Sequence, residues 1–293
     1  MKYIYFVIFT FLGISSCCGT QEFIQRQTET NTPLAIVTAV PDVIETDSIS
    51  ETAVAAQRID LQETVRPLPP KPPEKSSNYK EVMHKRWHTI LQNHVSKNGN
   101  VDYNAIKNNK TELDIYIDYL SDNLPDNTWT KDEKLAYWIN AYNALTVDLI
   151  LRNYPIKSIK DIKDPWDQRL WKFGDTWYNL NTIEHEILRT MDEPRIHFAI
   201  VCASVSCPKL QNKAFTASNL EMQLSNATKE FLADTSKNKL SKDKIELSKI
   251  FKWFKKDFEQ NDNLIDFLNQ YSEVSISNAA KRSYTNYNWD LNG

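Results

Sequence analysis

The long apolar stretch Thr130–Tyr154 places the strongest constraint on how this chain folds. Only a narrow stripe through Lys134, Asp148 and Arg152 is polar, and the rest of its circumference is apolar. A helix that is apolar nearly all round is buried. The threonine that opens the stretch and Glu133, three residues later, form a capping-box pattern that marks the helix start. The sequence therefore predicts a long buried helix.

Two amides interrupt this apolar surface. Asn140 and Asn143 fall outside the polar stripe, among apolar neighbours. A buried amide must find hydrogen-bond partners or cost about 1–3 kcal/mol. The two asparagines therefore either tie down a neighbouring loop or line a functional site.

A second feature is the stretch Arg195–Leu210, RIHFAIVCASVSCPKL, which holds both cysteines of the region beyond residue 78. Its apolar run His197–Cys202 predicts a central strand. In a regular strand the two ends of that run face opposite ways, which disfavours their pairing. Cys207 follows the run, on a turn where its sulfur is presented.

The preceding helix, predicted over Asn181–Met191, carries a carboxylate among apolar residues. Glu184 projects toward the core by the helical angular step of about 100° per residue. One interpretation is a capping box with Asn181. The other is a functional carboxylate or an ionic partner of Arg195.

Periodicity predicts the remaining elements. Further helices are expected near residues 82–95, 112–120, 217–232, 250–258 and 264–268, hairpins at 172–180 and 239–247, and a closing strand in the aromatic tail SYTNYNWDLN. The resulting fold class is α+β, a helix-rich single domain over residues 79–293 around a small, mainly antiparallel sheet.

The N-terminus is predicted to be an export signal. Lys2 and the apolar run Ile4–Ile14 form a signal peptide over residues 1–17, too short to anchor by spanning a bilayer. Ile-Ser-Ser-Cys17 is similar to a bacterial lipobox, although an ordinary signal peptide with an incidental Cys17 is the alternative. Acylation of Cys17 would tether the chain to the lipid bilayer of the bacterial cell envelope, at the outer membrane or the periplasmic face.

Residues 18–78 are rich in Thr, Ser and Pro, which predicts a disordered spacer. The alternative interpretation is a proline-rich ligand for a partner domain. The net charge of −3 lacks the basic footprint of nucleic-acid binding. Only Gly99 and Gly174 lie between residue 20 and the last residue, so a glycine-rich phosphate loop is excluded and no cofactor is expected.

Three chemistries are open to the cysteines. In the first, Cys207 is a nucleophile with His185 as base and Asn140 or Asn143 orienting that base. Glu184 is the nearby carboxylate of this candidate site.

In the second, Cys202 and Cys207 form a disulfide, which an oxidising compartment allows when a turn brings the Cα atoms within about 7 Å. The third is a metal site with His197 and His185, whose spacing is unlike that of a ligand set, so we expect no metal.

Five motifs together carry a resemblance to a known family. YWINAYNAL, IEHEILR, HFAIVCASVSCPKL, IFKWFKKDF and YNWDLN resemble, over about residues 80–291, the family called domain of unknown function 547. The resemblance implies a mixed domain of helices and a small sheet, with exported lipoproteins among bacterial members and a leucine-zipper region in plant relatives. It also suggests a distant likeness to papain or transglutaminase folds, and it implies no established activity.

The resulting functional prediction is a membrane-tethered binding or envelope-assembly module, whose protein or small-molecule partner the sequence leaves unidentified. The alternative is a thiol-dependent hydrolase or transferase.

Overall fold

The computed structural model of the protein describes residues 79–260 and 263–293. The predicted signal peptide with Cys17 and the predicted linker 18–78 lie outside the described residues. Within the described ranges, none of the helices combines the length and the apolar character that crossing a membrane requires.

Helices dominate the described part of the chain. The α-helices are α1 Tyr79–Val82, α2 Lys85–His94, α3 Tyr103–Asn108, α4 Lys110–Ser121, α5 Lys131–Asn153, α6 Leu220–Ala233, α7 Ile250–Trp253, α8 Lys255–Phe258 and α9 Leu264–Tyr271. A π-helix spans Thr182–Ile187, and 3₁₀ helices span Ile159–Asp161, Leu188–Met191, Pro194–Phe198 and Ala217–Asn219.

The strands form two small sheets. The strands β1 Trp171–Phe173 and β2 Thr176–Tyr178 make an antiparallel hairpin. In the second sheet, β4 Lys244–Leu247 pairs antiparallel with β3 Lys239–Leu240 and parallel with β5 Lys281–Tyr284. The predicted α+β class with a small, mainly antiparallel sheet is confirmed, and so are both hairpins.

The predicted buried helix is α5, and its capping box is present. Thr130 Oγ1 accepts the Glu133 backbone N–H at 3.2 Å, and the Glu133 carboxylate accepts the Thr130 N–H at 2.7 Å. Every side chain from Leu135 to Leu151 is buried. The helix therefore lies at the centre of the first hydrophobic core, as its apolar circumference predicts.

Asp148, on the polar stripe of α5, is fully buried. Its carboxylate accepts the Trp171 indole N–H at 2.7 Å and pairs with Arg152 at 2.6 Å and Lys110 at 3.0 Å. These donors come partly from α4 and β1, far along the chain, so periodicity along α5 alone could not indicate them. A buried carboxylate is tolerated where cations and donors surround it.

The predicted strand His197–Cys202 is also wrong. Residues Pro194–Phe198 form a 3₁₀ helix, which opens with the Glu193 side chain accepting the Arg195 backbone N–H at 3.1 Å. Pro194 fixes a φ suited to a first helical position, which favours a turn over a strand. Without a strand, the parity argument that separated His197 from Cys202 no longer applies.

This segment joins the two hydrophobic cores of the described domain. Ile196 and the residues Ala199–Val201 pack in the core around α5, whereas Phe198 packs in the second core. The second core is built from α6, β4 and α7 to α9, where Phe198 contacts several phenylalanine rings at centroid distances of 5.2–6.3 Å. Cys202 directly follows these core residues in the chain, so the backbone that leads into the cysteine segment is anchored in both cores.

Candidate functional site

A cavity of about 180 Å³ lies where the cysteine segment meets α5, the π-helix, α7 and the C-terminal tail. Six of the sixteen residues that line it are Phe, Trp or Tyr, and a few polar groups converge on it. The lining that matters for chemistry comprises Tyr142, Trp166, Glu184, His185, His197, Cys202, Cys207, Trp253, Phe254, Tyr287 and Trp289.

The two cysteines of the cavity wall form a disulfide, with their Cα atoms 6.3 Å apart. The chain turns back between them through Ala203, whose φ of 56° lies in the left-handed region, and the Cys207 N–H donates to the Ser204 carbonyl at 3.0 Å. The Cys202 backbone N–H points at the Cys207 sulfur at 2.9 Å. The Tyr287 hydroxyl lies 3.2 Å from each sulfur, so the bridge contacts polar groups on both sides.

The C-terminal tail holds this turn and delivers aromatic side chains to the cavity. The Val205 N–H donates to the Asp290 carbonyl at 2.8 Å, and Ser204 forms an isolated β-bridge with Leu291. Between these contacts and β5, the tail places Tyr287 and Trp289 against each other with ring centroids 4.6 Å apart. The predicted closing strand over residues 283–292 is therefore wrong beyond Tyr284, where β5 ends, and the aromatic end of the tail lines the cavity instead.

Glu184 faces the cavity from the π-helix and is only 8% exposed. Its Oε2 accepts the Tyr142 hydroxyl at 2.9 Å. Burial first and the Glu184 charge second raise the pKa of Tyr142 well above its usual value, so this hydroxyl stays protonated and donates. The wider turn of a π-helix rotates successive side chains by less than the 100° of an α-helix, so Glu184 and His185 both line the cavity.

Two of the three interpretations of Glu184, the capping box with Asn181 and the ion pair with Arg195, are wrong. Asn181 has helical torsion angles and no capping hydrogen bond, and the Thr182 N–H instead donates to the Asn179 side chain at 2.7 Å. Arg195, the other proposed partner, binds Glu193 and Glu221. The carboxylate is therefore left for the cavity.

The two histidines of the cavity differ in which ring nitrogen is free. His185 Nδ1 lies 2.8 Å from Arg189 Nη1 and must accept, because a guanidinium only donates. In the neutral ring the proton is then on Nε2, and the lone pair of Nδ1 is occupied by the Arg189 N–H, so no free lone pair is left for a base. His197 Nε2 lies 2.8 Å from the Asp257 carboxylate and donates to it, so in the neutral ring the lone pair is on Nδ1. Of the two rings, only the neutral form of His197 has a lone pair that no described hydrogen bond occupies.

Asp257 links the two histidines through Arg189. The Arg189 guanidinium donates to both Asp257 oxygens at 2.6 and 2.7 Å. Burial raises the pKa of Asp257, but the hydrogen bonds and charges of Arg189 and His197 outweigh it and hold this pKa well below its usual range. Asp257 thus stays ionised and fixes the His197 ring, which also stacks on Phe254 with centroids 3.9 Å apart.

The two buried asparagines of α5 are backbone clamps. Asn143 donates to the Ala199 carbonyl at 2.9 Å and accepts the Val201 N–H at 3.0 Å. Asn140 makes the same pair of bonds with Phe215, at 2.8 and 2.9 Å, and does not line the cavity. The structure therefore brings Cys207, Glu184 and His185 together at one cavity but leaves Asn140 elsewhere.

The sequence patterns do not single out four residues of the cavity wall, namely Tyr142, Trp253, Tyr287 and Trp289, or Asp257, which lies behind the wall and bonds His197. One signal was available, because Asp257 shares the helical spacing of its apolar neighbours in IFKWFKKDF. The others resemble ordinary core aromatics until the tail is folded back. Across 79–260 and 263–293, no three His, Cys, Asp or Glu side chains are grouped to hold a metal ion.

The comparison with protein families now bears on the site. Residues 127–232 match the family described as Protein of unknown function, DUF547. The match supports this domain family for the segment that contains α5, the π-helix and both bridged cysteines. No curated protein matches the chain, and no solved structure does. The likeness to papain and transglutaminase folds stays a prediction, as does the resemblance of the motifs beyond residue 232.

Proposed function

We propose that the protein is an exported binding module, tethered to the bacterial envelope membrane by acylated Cys17, whose folded domain takes a small ligand into the aromatic cavity. The observation that carries the proposal is the position of the Cys202–Cys207 disulfide in the cavity wall. A bridged pair offers no thiolate, so the oxidised cavity is suited to binding rather than nucleophilic attack.

The dimensions and lining of the cavity support a ligand of a few heavy atoms. A cavity of about 150 Å³ is large enough for benzene, and this one measures about 180 Å³. Aromatic walls provide apolar contact area, while a few convergent polar groups fix orientation. Here Glu184 and Tyr142 are such groups, and Trp253, 46% exposed, stands at the rim.

Binding is tested by ligand-observed NMR with a fragment library on the intact, oxidised chain. Trp253→Ala should abolish or weaken at least tenfold the binding of fragments that occupy the cavity. Trp177→Ala is the matched control, since Trp177 is similarly exposed at 52% but does not line the cavity. Fragments unaffected by Trp253→Ala, or no binding at all, would count against a cavity-based binding function.

The tether rests on the apolar run Ile4–Ile14 followed by Ser-Ser-Cys17. Metabolic labelling with a fatty-acid analogue should mark the wild-type chain and Cys18→Ser but not Cys17→Ser. The adjacent Cys18 makes this a closely matched control. Equal labelling of both variants, or none of the wild type, would contradict lipidation at Cys17.

A thiol-dependent hydrolase or transferase is the second candidate, favoured by the surroundings of Cys207. Its sulfur receives the Cys202 N–H at 2.9 Å and the Tyr287 hydroxyl at 3.2 Å, contacts that would stabilise a thiolate. His197, held by Asp257, lines the same cavity and replaces His185 as the base in this candidate.

This chemistry requires an external dithiol, which gives two hydrogens to the bridge and is itself oxidised to a disulfide. His197 would take the proton of the freed Cys207 thiol, the thiolate would attack the carbonyl carbon of an ester, and His197 would return that proton to the departing alcohol. Water would then hydrolyse the thioester, which releases the acid and restores Cys207. Hydrolysis of acyl-ester probes should appear only under reduction and be lost in Cys207→Ser but kept in Cys202→Ser. Activity that survives alkylation of the reduced thiols would eliminate this candidate, as would none above the Cys207→Ser background.

A further inference from the structure

We propose that the cavity recognises an organic ammonium group, with the charge between Glu184 and the rings of Trp253, Tyr287 and Trp289 and the attached carbon chain against the cavity wall. This inference rests on the proposed binding function and names the chemical class of its ligand. It follows from one buried carboxylate that has no ion-pair partner among the described residues and from the aromatic wall that faces it.

Glu184 is 92% buried yet has a neutral hydrogen-bond donor, Tyr142, in place of a cation. Among the ion pairs found in residues 79–260 and 263–293, none involves Glu184. The nearby cation Arg189 donates hydrogen bonds to both oxygens of Asp257 and acts on Glu184 through its charge only, without an ion pair. An ionised carboxylate in a low-dielectric site is costly without a partner, so a bound cation would supply what the protein leaves out.

The acceptor capacity of Glu184 also favours an N–H donor. A carboxylate offers about four lone-pair sites, and only the Tyr142 hydroxyl takes one of them among the described hydrogen bonds. An ammonium with N–H groups satisfies the remaining sites as charge-assisted hydrogen bonds, which are about twice as strong as neutral ones. An anionic ligand would instead bring a like charge into the same buried space.

The aromatic rim independently suits a cation. Trp253 and Tyr287 have ring centroids 4.8 Å apart, and Trp253 and Trp289 lie 5.8 Å apart. Ring faces attract cations within about 6 Å, tryptophan most strongly. The rim already attracts one cation, since Lys160 Nζ lies 5.3 Å from the Trp289 centroid. Lys160 does not line the cavity.

The volume limits the ligand to a short chain. At about 180 Å³, the cavity admits a group close to benzene in size, such as an ammonium on four carbon atoms. The carbon chain would lie against the cavity wall while its charged end lies between Glu184 and the aromatic rings. Such an end occurs on free alkylamines and on lysine side chains, which share this chemistry.

The test compares three probes of nearly equal size, namely butylammonium, butan-1-ol and butanoate, by ligand-observed NMR on the intact, oxidised chain. Butylammonium should bind at least tenfold more tightly than butan-1-ol, and butanoate more weakly than either. Glu184→Gln should remove this preference. Glu186→Gln is the matched control, because Glu186 is exposed on the same π-helix and does not line the cavity; its preference should equal that of the wild type.

The outcomes separate this inference from the proposed function. Equal binding of butylammonium and butan-1-ol by the wild type would overturn ammonium recognition while leaving cavity binding intact. If no probe and no library fragment binds, both fail. Should Glu184→Gln unfold in thermal melts, Trp253→Ala gives the second measure. It should reduce butylammonium binding more than butan-1-ol binding, and an equal reduction of both would overturn the inference. A lysine-containing peptide that binds like butylammonium would assign the end group to a protein side chain, and failure of that peptide would assign it to a free amine.

Discussion

Replacing the Asn143 clamp should destabilise the domain at the point where its two cores meet. Asn143→Ala removes two buried hydrogen bonds and leaves the Ala199 carbonyl and the Val201 N–H without partners. Each unpaired buried group costs about 1–3 kcal/mol, and the better helix propensity of alanine returns about 0.5 kcal/mol. Because water and backbone relaxation recover part of the cost, the free energy of unfolding should fall by about 2–4 kcal/mol.

Urea denaturation followed by tryptophan fluorescence measures this change, with the m-value checked for constancy. The control is Asn153→Ala near the end of the same helix, where the side chain is exposed and bonds only the Leu149 carbonyl. It should change stability by less than about 0.5 kcal/mol. A loss for Asn143→Ala no larger than that of the control would refute the clamp, since the same substitution on one helix would then cost the same with and without the two tertiary bonds.

Two titratable side chains, His84 and Asp257, should make the stability of the domain depend on pH. Burial lowers the pKa of His84, whose ring lies 2.7 Å from the Tyr116 hydroxyl, to about 3. Since the pKa in the unfolded chain is about 6.5, the free energy of unfolding should fall as the pH drops from about 6.5 toward 3. In urea titrations His84→Gln should flatten this pH dependence, and an unchanged dependence would count against the prediction. The pKa of Asp257 is held below its usual range by Arg189 and His197 against the opposing effect of burial, so its contribution is present above about pH 4 and lost as pH falls below it. Asp257→Asn should therefore destabilise the domain at pH 7 more than at pH 3, and an equal loss at both would contradict the ion pair.

Much of the fold could be predicted from local patterns. The buried α5, its capping box and both hairpins depend on residues close together in the chain, where periodicity and turn chemistry act directly. The burial of Asp148 does not follow from the α5 pattern, because the groups that bind its carboxylate belong to Lys110 and Trp171, outside that helix. The same limit applied to Glu184, whose inward direction was correct but whose partner, Tyr142, lies on another helix.

The candidate site shows why a local rule can mislead when its premise is wrong. The alternation of side chains in a strand separated His197 from Cys202, but that rule applies only if the apolar run is extended. A run of this length does not distinguish a strand from a buried turn of helix, and here Pro194 starts a 3₁₀ helix. Once the run is helical, His197 is free to line the same cavity as Cys202 and Cys207.

The stretch Arg195–Leu210 therefore owes its central position to long-range constraints rather than to a strand. Asn143 fixes its backbone from α5, Phe198 anchors it in the second core, and the tail through Asp290 closes its turn. These contacts involve atoms other than the two sulfurs, so we expect the turn to persist when the bridge is reduced. The proposed binding function belongs to the oxidised bridge, whereas the proposed thiol chemistry would need the reduced bridge, which frees Cys207 in a cavity that His197 also lines.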